Sequence, residues 1–321
     1  MIDLFSLIKD TGAYRTVKAE KESGRLSHAY LILTQDKENL TEYLKIFAEL
    51  IACKDGNPCG ECRTCRMIKD GVFADLFVYP KNGQAIISEE VNELIEQSYA
   101  KPIESDKKIF ILSQAQNMNA QAQNKLLKTL EEPPESVCIL IGATAEFSLL
   151  PTVKSRVKKL EIPAFSDQKI FDALVKDYPD EERLKEAISC GDGTVGQAVL
   201  NYQDQKLKEI TALVSDLLLN MKSSSDILEY SNKITKSKCD FATFLSVLEL
   251  KLRDKLVKML ENGSKGQTQT DQNGFTAGAL VFALESINGA FERLKFNANA
   301  TMLLEWTLFK ILEGKYKWQK L

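Results

Sequence analysis

The sequence predicts an α/β domain followed by a wholly helical remainder, and three observations carry that reading. Two short apolar runs, Ile109–Leu112 and Val137–Ile141, flank a helix-period stretch that ends in Glu131, Glu132, Pro133 and Pro134. Short apolar runs alternating with helix mark buried parallel strands joined by crossover helices. From about residue 204 onward, by contrast, the apolar residues recur at helical spacing throughout. Between these regimes the turn residues and prolines fall at element ends, with Pro163 closing the first region.

Taken in order, residues 3–24 read as helical and stop at Gly24, and Tyr30–Leu33 reads as the first strand. The helix from about Leu40 to Cys53 places apolar residues at 40, 44, 47, 48 and 51, a stripe that faces a core. Asp75–Tyr79 reads as a strand. Ser88 then reads as an N-cap, with Glu89 and Glu90 favourable in the first turn, and Val91, Leu94, Ile95 and Ser98 on one face. Ser166 starts a new helix, and residues 164–203 read as a small helical bundle carrying the turn Gly193–Ala198. Further on, Ile210, Leu213, Val214, Leu217 and Leu218 form one stripe, and Phe241, Phe244, Leu245, Leu248, Leu252 and Leu256 another. Asn262–Gly274 is a polar loop rich in Gly, Gln and Thr, and two helices over 276–295 and 299–313 complete the chain.

The chain has 321 residues, 44% hydrophobic and 27% charged, enough for two or three domains. Its 42 basic residues against 45 acidic ones give a net charge of −3, which is no footprint for a dedicated nucleic-acid binder. No apolar run approaches the roughly 18 residues of a membrane span, and Met1–Phe5 lacks a signal-peptide pattern. The expectation is a cytoplasmic protein with no membrane contact. A single histidine, His28, makes a hydrolytic triad improbable and suits packing or hydrogen bonding.

Four of the seven cysteines, Cys53, Cys59, Cys62 and Cys65, fall within thirteen residues, with Gly56, Pro58 and Gly60 making the turns. Adjacent C-x2-C steps wrap thiolates around one tetrahedral ion, and Cys53 supplies a fourth ligand. The competing reading is a redox site, which needs only two of them. One structural Zn²⁺ per chain is the expectation, with no open position for catalysis. Cys138, Cys190 and Cys239 are scattered singly and read as small buried hydrophobes or bystanders.

The string Asn124-Lys125-Leu126-Leu127-Lys128-Thr129-Leu130-Glu131-Glu132-Pro133-Pro134 resembles the AAA+ clamp-loader family. So do the Ser27-His28-Ala29 entry to the first strand, and Asn297-Ala298-Asn299 followed by Leu303-Leu304-Glu305 near the end. Lys154-Ser155-Arg156-Val157 matches that family's Ser-Arg-Cys motif, with Val157 for cysteine. The resemblance implies a RecA-like AAA+ domain over 1–163 with the zinc module at 53–65. A small helical lid over 164–203 and a helical oligomerisation collar over 204–321 would follow. It also implies that Arg156, with Ser155 beside it, is an arginine finger reaching a neighbouring subunit's ATP. On charge alone, a basic surface patch with Lys154, Lys158 and Lys159 is the better reading; the motif context favours the finger.

Against the family's ATPases this chain departs in three places. A phosphate loop needs glycines and a lysine. Thr34–Thr41 has no glycine, puts Leu40 where the lysine belongs, and carries Asp36 and Glu38, which repel phosphate; Lys37 is a weak substitute. Ser113-Gln114 stands where an acidic pair holds Mg²⁺, and Gln197 where a nucleotide-sensing arginine often sits. The resemblance therefore implies a member of the DNA polymerase III clamp-loader ring that binds no ATP by itself and has no catalytic site of its own. Such a chain, a subunit of the DNA-directed DNA polymerase holoenzyme, would help place the sliding clamp on primed DNA in replication. Its partners would be the gamma/tau ATPase subunits and the delta subunit, with the clamp and DNA reached through the complex. Two alternatives stay open: an ATP-hydrolysing gamma/tau-like subunit, and a zinc-containing nucleic-acid-binding adaptor.

Overall fold

The computed structural model describes residues 2–83, 85–236, 241–262, 274–294 and 299–317. The single helix expected over 3–24 is two, α1 (Leu4–Ile8) and α2 (Gly12–Glu22). Thr11 makes the break: its hydroxyl donates to the Ile8 carbonyl at 2.7 Å and accepts from the Tyr14 N–H at 3.2 Å. It thereby closes one helix and caps the next. β1 (Ala29–Leu33) and α3 (Leu40–Ala52) follow as expected, and Leu40, Leu44, Phe47, Ala48 and Ile51 are all buried. Next come α4 (Arg63–Lys69), β2 (Leu76–Tyr79) and α5 (Ser88–Ser98). The N-cap of α5 is Ile87, one residue earlier than expected. Its N–H is taken by Glu90 Oε2 at 3.2 Å, so Ser88 already lies inside the helix.

β3 (Lys108–Leu112), α6 (Ala120–Glu131), β4 (Val137–Ala143), α7 (Pro151–Lys154), β5 (Lys158–Glu161) and α8 (Asp167–Leu174) complete this part of the chain. Ser166 takes the N-cap position of α8, but its side chain makes no capping hydrogen bond. The strands form one parallel five-stranded sheet in the order β2-β3-β4-β1-β5. The register pairs Ile141 with Leu31 on one side and Leu112 on the other, so β1, β4 and β3 lie side by side. Every residue of β3 and β4 is buried, which is why these strands read as unbroken apolar runs. The edge strand β5 exposes Lys158, Lys159 and Glu161 and buries Leu160, a charged rim that discourages pairing with another sheet.

Close approach decides one position in the sheet. A Cβ on Gly142 in β4 would lie 2.6 Å from Leu44 Cδ1 and 2.9 Å from Leu40 Cδ1, so α3 packs on β4 only because no side chain intervenes. Asp75, fully buried before β2, fixes another segment. Its carboxylate accepts from the N–H groups of Ile103, Glu104 and Ser105 at 2.7–2.9 Å. That satisfies three donors of a loop that has no ladder of its own.

The described residues pack as two compact units, Met1–Pro179 with Gly193–Gln197, and Asp180–Asp192 with Ala198–Leu321. This division falls differently from boundaries at 163 and 203. α8 packs on α1, and the turn at Gly193 is held in the first unit by the Phe165 N–H donating to the Gly193 carbonyl at 2.8 Å. The second unit is helical. It contains α9 (Glu181–Ser189), the body of α10 (Val195–Gln203), α11 (Gln205–Asn220), α12 (Ser224–Lys236), α13 (Phe241–Asn262), α14 (Ala277–Leu294) and α15 (Ala300–Lys317). Its core joins Val214, Leu217, Phe244, Leu248, Leu252, Ile287, Leu308 and Ile311. Both sequence stripes contribute, with Leu213, Phe241 and Leu256 only partly buried at the margin. Most of the polar loop Asn262–Gly274 lies outside the described residues, as do Asn297 and Ala298.

Candidate functional sites at the cysteine cluster and the strand ends

The four clustered cysteines converge. Cys53 caps the C-terminus of α3, and Cys62 is the N-cap of α4, so two helix ends deliver the thiols to one point. Sulfur separations are 3.8 Å for Cys53–Cys59, 3.9 Å for Cys53–Cys62 and 3.9 Å for Cys59–Cys65, and all four lie within 4.8 Å of one another. Four thiolates on one ion at a metal–sulfur distance of about 2.3 Å would sit ~3.8 Å apart, so the set fits a tetrahedral centre. The N–H of Cys62 donates to Cys59 Sγ at 3.2 Å, and that of Cys65 to Cys62 Sγ at 3.4 Å. The Cys65 amide lowers the Cys62 thiol to about 7, which favours the ligating thiolate. The cluster can hold one metal ion. Cys138 and Cys190 stand apart from it, and burial pushes their thiols up to about 12 and about 11. Both are therefore inert, small packing residues. Cys239 lies outside the described residues.

The loop after β1 is closed by its own side chains. Leu40 is fully buried against β4, and Lys37 points to solvent. Asp36 is 2% exposed, and its carboxylate accepts from the N–H groups of Val195 and Gly196 at 3.1 and 3.2 Å. It also takes the Asn39 amide and the Tyr43 hydroxyl, the latter at 2.7 Å. Burial and this carboxylate together hold the Tyr43 phenol well above its ordinary range. Val195 and Gly196 open α10, so an internal carboxylate fills the anion-binding role of a helix N-terminus. A Cβ on Gly196 would meet Asp36 Oδ1 at 2.5 Å, so only glycine admits the contact. Beside it, Thr41 Oγ1 and Ser113 Oγ share a hydrogen bond of 2.7 Å between the start of α3 and the end of β3. Gln114 follows in the left-handed region, at φ +55°. Gln197 lies exposed in the first turn of α10.

Arg156 follows the short helix α7. Pro151 opens that helix, and Gln123 Oε1 anchors it by accepting the Leu150 N–H at 2.8 Å. Gln123 Nε2 donates to the Met118 and Ser148 carbonyls, so one buried amide sets the turn. Arg156 Nη1 donates to the Thr152 carbonyl at 2.9 Å and to Ser155 Oγ at 3.2 Å, and Nη2 pairs with Glu131 Oε1 at 2.6 Å. These residues border an open hollow of about 700 Å³ with His28 and Lys158. Two lysines of the basic cluster are drawn elsewhere: Lys158 pairs with Glu20, and Lys159 with Glu146.

Three of these assignments escape sequence reasoning. Asp36 reads there as a repeller of phosphate, whereas its partners lie 159 and 160 positions away. Glu131 reads as part of a family signature rather than as the counter-charge of Arg156. Gln123 gives no signal beyond a polar residue on a helix face that is otherwise apolar at Leu126 and Leu130.

The comparisons bear on this geometry. A family described as "DNA polymerase III, delta subunit" matches residues 9–166. The chain is 28% identical over 309 residues to "DNA polymerase III subunit delta'" of Bacillus subtilis (strain 168), covering 91% of this chain and 93% of that protein. It is 26% identical to "DNA polymerase III subunit tau" of the same organism, covering 91% of this chain but only 58% of that longer protein. A solved gamma subunit-related protein from Thermotoga maritima shares 20% identity over 94% of this chain and 99% of that one, with a TM-score of 0.44. Among the described residues, no helix is long and apolar enough to cross a membrane. Over 91% of its length the chain is thus similar to subunits of DNA polymerase III.

Proposed function

We propose that this chain is a delta'-type, non-hydrolysing subunit of the clamp loader, which helps place the sliding clamp on primed DNA. The observation that carries this reading is the loop after β1. Its lysine position is a leucine buried against Gly142, and its anion position is occupied by the Asp36 carboxylate. A nucleotide phosphate there would meet a fixed negative charge, with neither glycine-rich backbone nor lysine to compensate. The near-complete overlap with the delta' relative supports the same choice over a gamma/tau-like ATPase.

Its partners in this reading are gamma/tau ATPase subunits and the delta subunit, with clamp and DNA engaged through the assembled ring. Residues 1–163 act as the AAA+ domain, 164–203 as the lid and 204–321 as the oligomerisation collar. The metal of the four-cysteine cluster is one structural Zn²⁺: four sulfur ligands suit zinc, and a closed coordination sphere leaves no position for a substrate. Arg156, with Ser155 steadying it, serves as an arginine finger at an ATP site belonging to an adjacent subunit. A permanently charged planar fork is the side chain suited to γ-phosphate oxygens.

The direct test is calorimetric titration of the purified chain with Mg-ATP. No heat above dilution is expected. Saturable binding in the micromolar range would overturn the reading and return attention to Lys37.

A further inference from the structure

We propose that Glu131 is a holding partner for Arg156, and that it yields its place to a phosphate of the nucleoside triphosphate on the neighbouring subunit. This rests on the arginine-finger reading above and adds a second residue to it. Glu131 is the last residue of α6, and Arg156 follows α7, so two elements bring the charges together.

The guanidinium is held on two sides by groups of different kinds. Nη1 gives its hydrogen bonds to the Thr152 carbonyl and to Ser155 Oγ, both neutral acceptors on the turn that carries the arginine. Nη2 meets the Glu131 carboxylate at 2.6 Å. The neutral contacts fix where the side chain points and do not compete with an anion. The carboxylate does compete, because it occupies a donor that a phosphate oxygen would use and carries the same sign of charge. Both side chains are partly open to water, Arg156 at 34% and Glu131 at 49% exposure. An ion pair so placed is weak enough to exchange. Nη1 is thus the mount and Nη2 the exchange position.

The role has a measurable sign. If Glu131 served to brace the finger, removing its charge would weaken the neighbour's grip on ATP. As a competitor, its neutralisation strengthens that grip. In the reconstituted complex with the ATPase subunits, Glu131→Gln should lower the KM for ATP in DNA-stimulated hydrolysis, and the Kd of a non-hydrolysable ATP analogue, by about twofold to fivefold. That is the range an exposed ion pair sets. Glu132→Gln removes the same charge one residue away and should leave both constants unchanged. In an Arg156→Ala background, Glu131→Gln should have no effect, since the competitor then has nothing to occupy.

Unchanged or weakened nucleotide binding with Glu131→Gln, while Arg156→Ala still impairs the complex, would overturn the holding role and leave the finger standing. An equal gain with Glu132→Gln, or a gain that persists in the Arg156→Ala background, would overturn it as well, by pointing to bulk charge. If Arg156→Ala itself changes neither constant nor turnover, the finger reading fails, and the holding role fails with it.

Discussion

Replacing Asp36 by alanine tests whether the closed loop is part of the fold's stability or only a vestige. The carboxylate satisfies the Val195 and Gly196 N–H groups, the Tyr43 hydroxyl and the Asn39 amide. Val195, Gly196 and Tyr43 are buried, so alanine leaves three donors without their acceptor. Each stranded buried donor costs roughly 1–3 kcal/mol. A water entering the vacated space would recover part of this, since the site is polar on several sides. The expected loss is therefore about 3–6 kcal/mol, a large fraction of a domain's net stability. Tyr43→Phe is the natural control: it deletes one donor, strands nothing on its own side, and should cost about 0.5–1.5 kcal/mol. Urea denaturation followed by far-UV circular dichroism reads the difference. With a slope of about 1–3 kcal/mol per molar, the alanine variant should unfold at least 1 M earlier. Amide exchange at Val195 and Gly196 should rise in step, as their N–H groups lose protection. A midpoint within about 0.2 M of the parent, together with unchanged exchange at those two amides, would refute the reasoning.

Three further outcomes follow from other parts of the molecule. Native mass spectrometry should find one metal per chain and lose it after chelation or on Cys59→Ser; a metal-free chain of unchanged stability would remove the centre from the account. In the reconstituted ring, Arg156→Ala should depress DNA-stimulated ATP hydrolysis and clamp loading while the chain stays folded and assembles. The drop would be smaller than the roughly 10³–10⁵ of a single finger site, because a ring assembled as proposed would hold several. Lys159→Ala, which breaks only the pair with Glu146, should have little effect, and equal losses from both variants would argue for bulk charge. Glu20 offers a pH test: burial works to raise its carboxyl, but Lys158, the Tyr30 hydroxyl and the Ser27 amide outweigh it, so it lies below its ordinary value. A group lowered on folding contributes stability above its unfolded pKa and loses it as pH falls. Glu20→Gln should therefore flatten the melting-temperature curve between about pH 5 and 3, and parallel curves would count against the network.

Much of the first unit was legible because its strands are buried on both faces. Ile109–Leu112 and Val137–Ile141 are unbroken apolar runs of strand length, as central parallel strands require. The cysteine cluster was legible because its ligands are local in sequence, spaced by turns that the glycines mark. The break at Thr11 was not, because Thr11-Gly12 interrupts a pattern whose apolar positions continue on both sides. The role of Asp36 depends on a chain segment more than 150 residues away, and no local pattern encodes that encounter. The pairing of Arg156 with Glu131 was hidden for a related reason: Glu131 ends α6 and Arg156 lies in the turn after α7, and the buried Gln123 ties α6 to the start of α7.

On the proposed reading, the packing of Leu40 on Gly142 bears on how readily nucleotide binding could be regained. Restoring lysine at position 40 alone would drive an ammonium into the space beneath β4, where it has no anion to meet and loses the apolar contact that Leu40 makes beside Leu44 at the glycine. Removing Asp36 alone strands the amides of Val195 and Gly196. Each single reversion is thus harmful before any benefit can be selected, and the beneficial combination requires several changes together. If nucleotide binding was lost as proposed, that loss is a one-way step in sequence space, held there by ordinary side-chain packing.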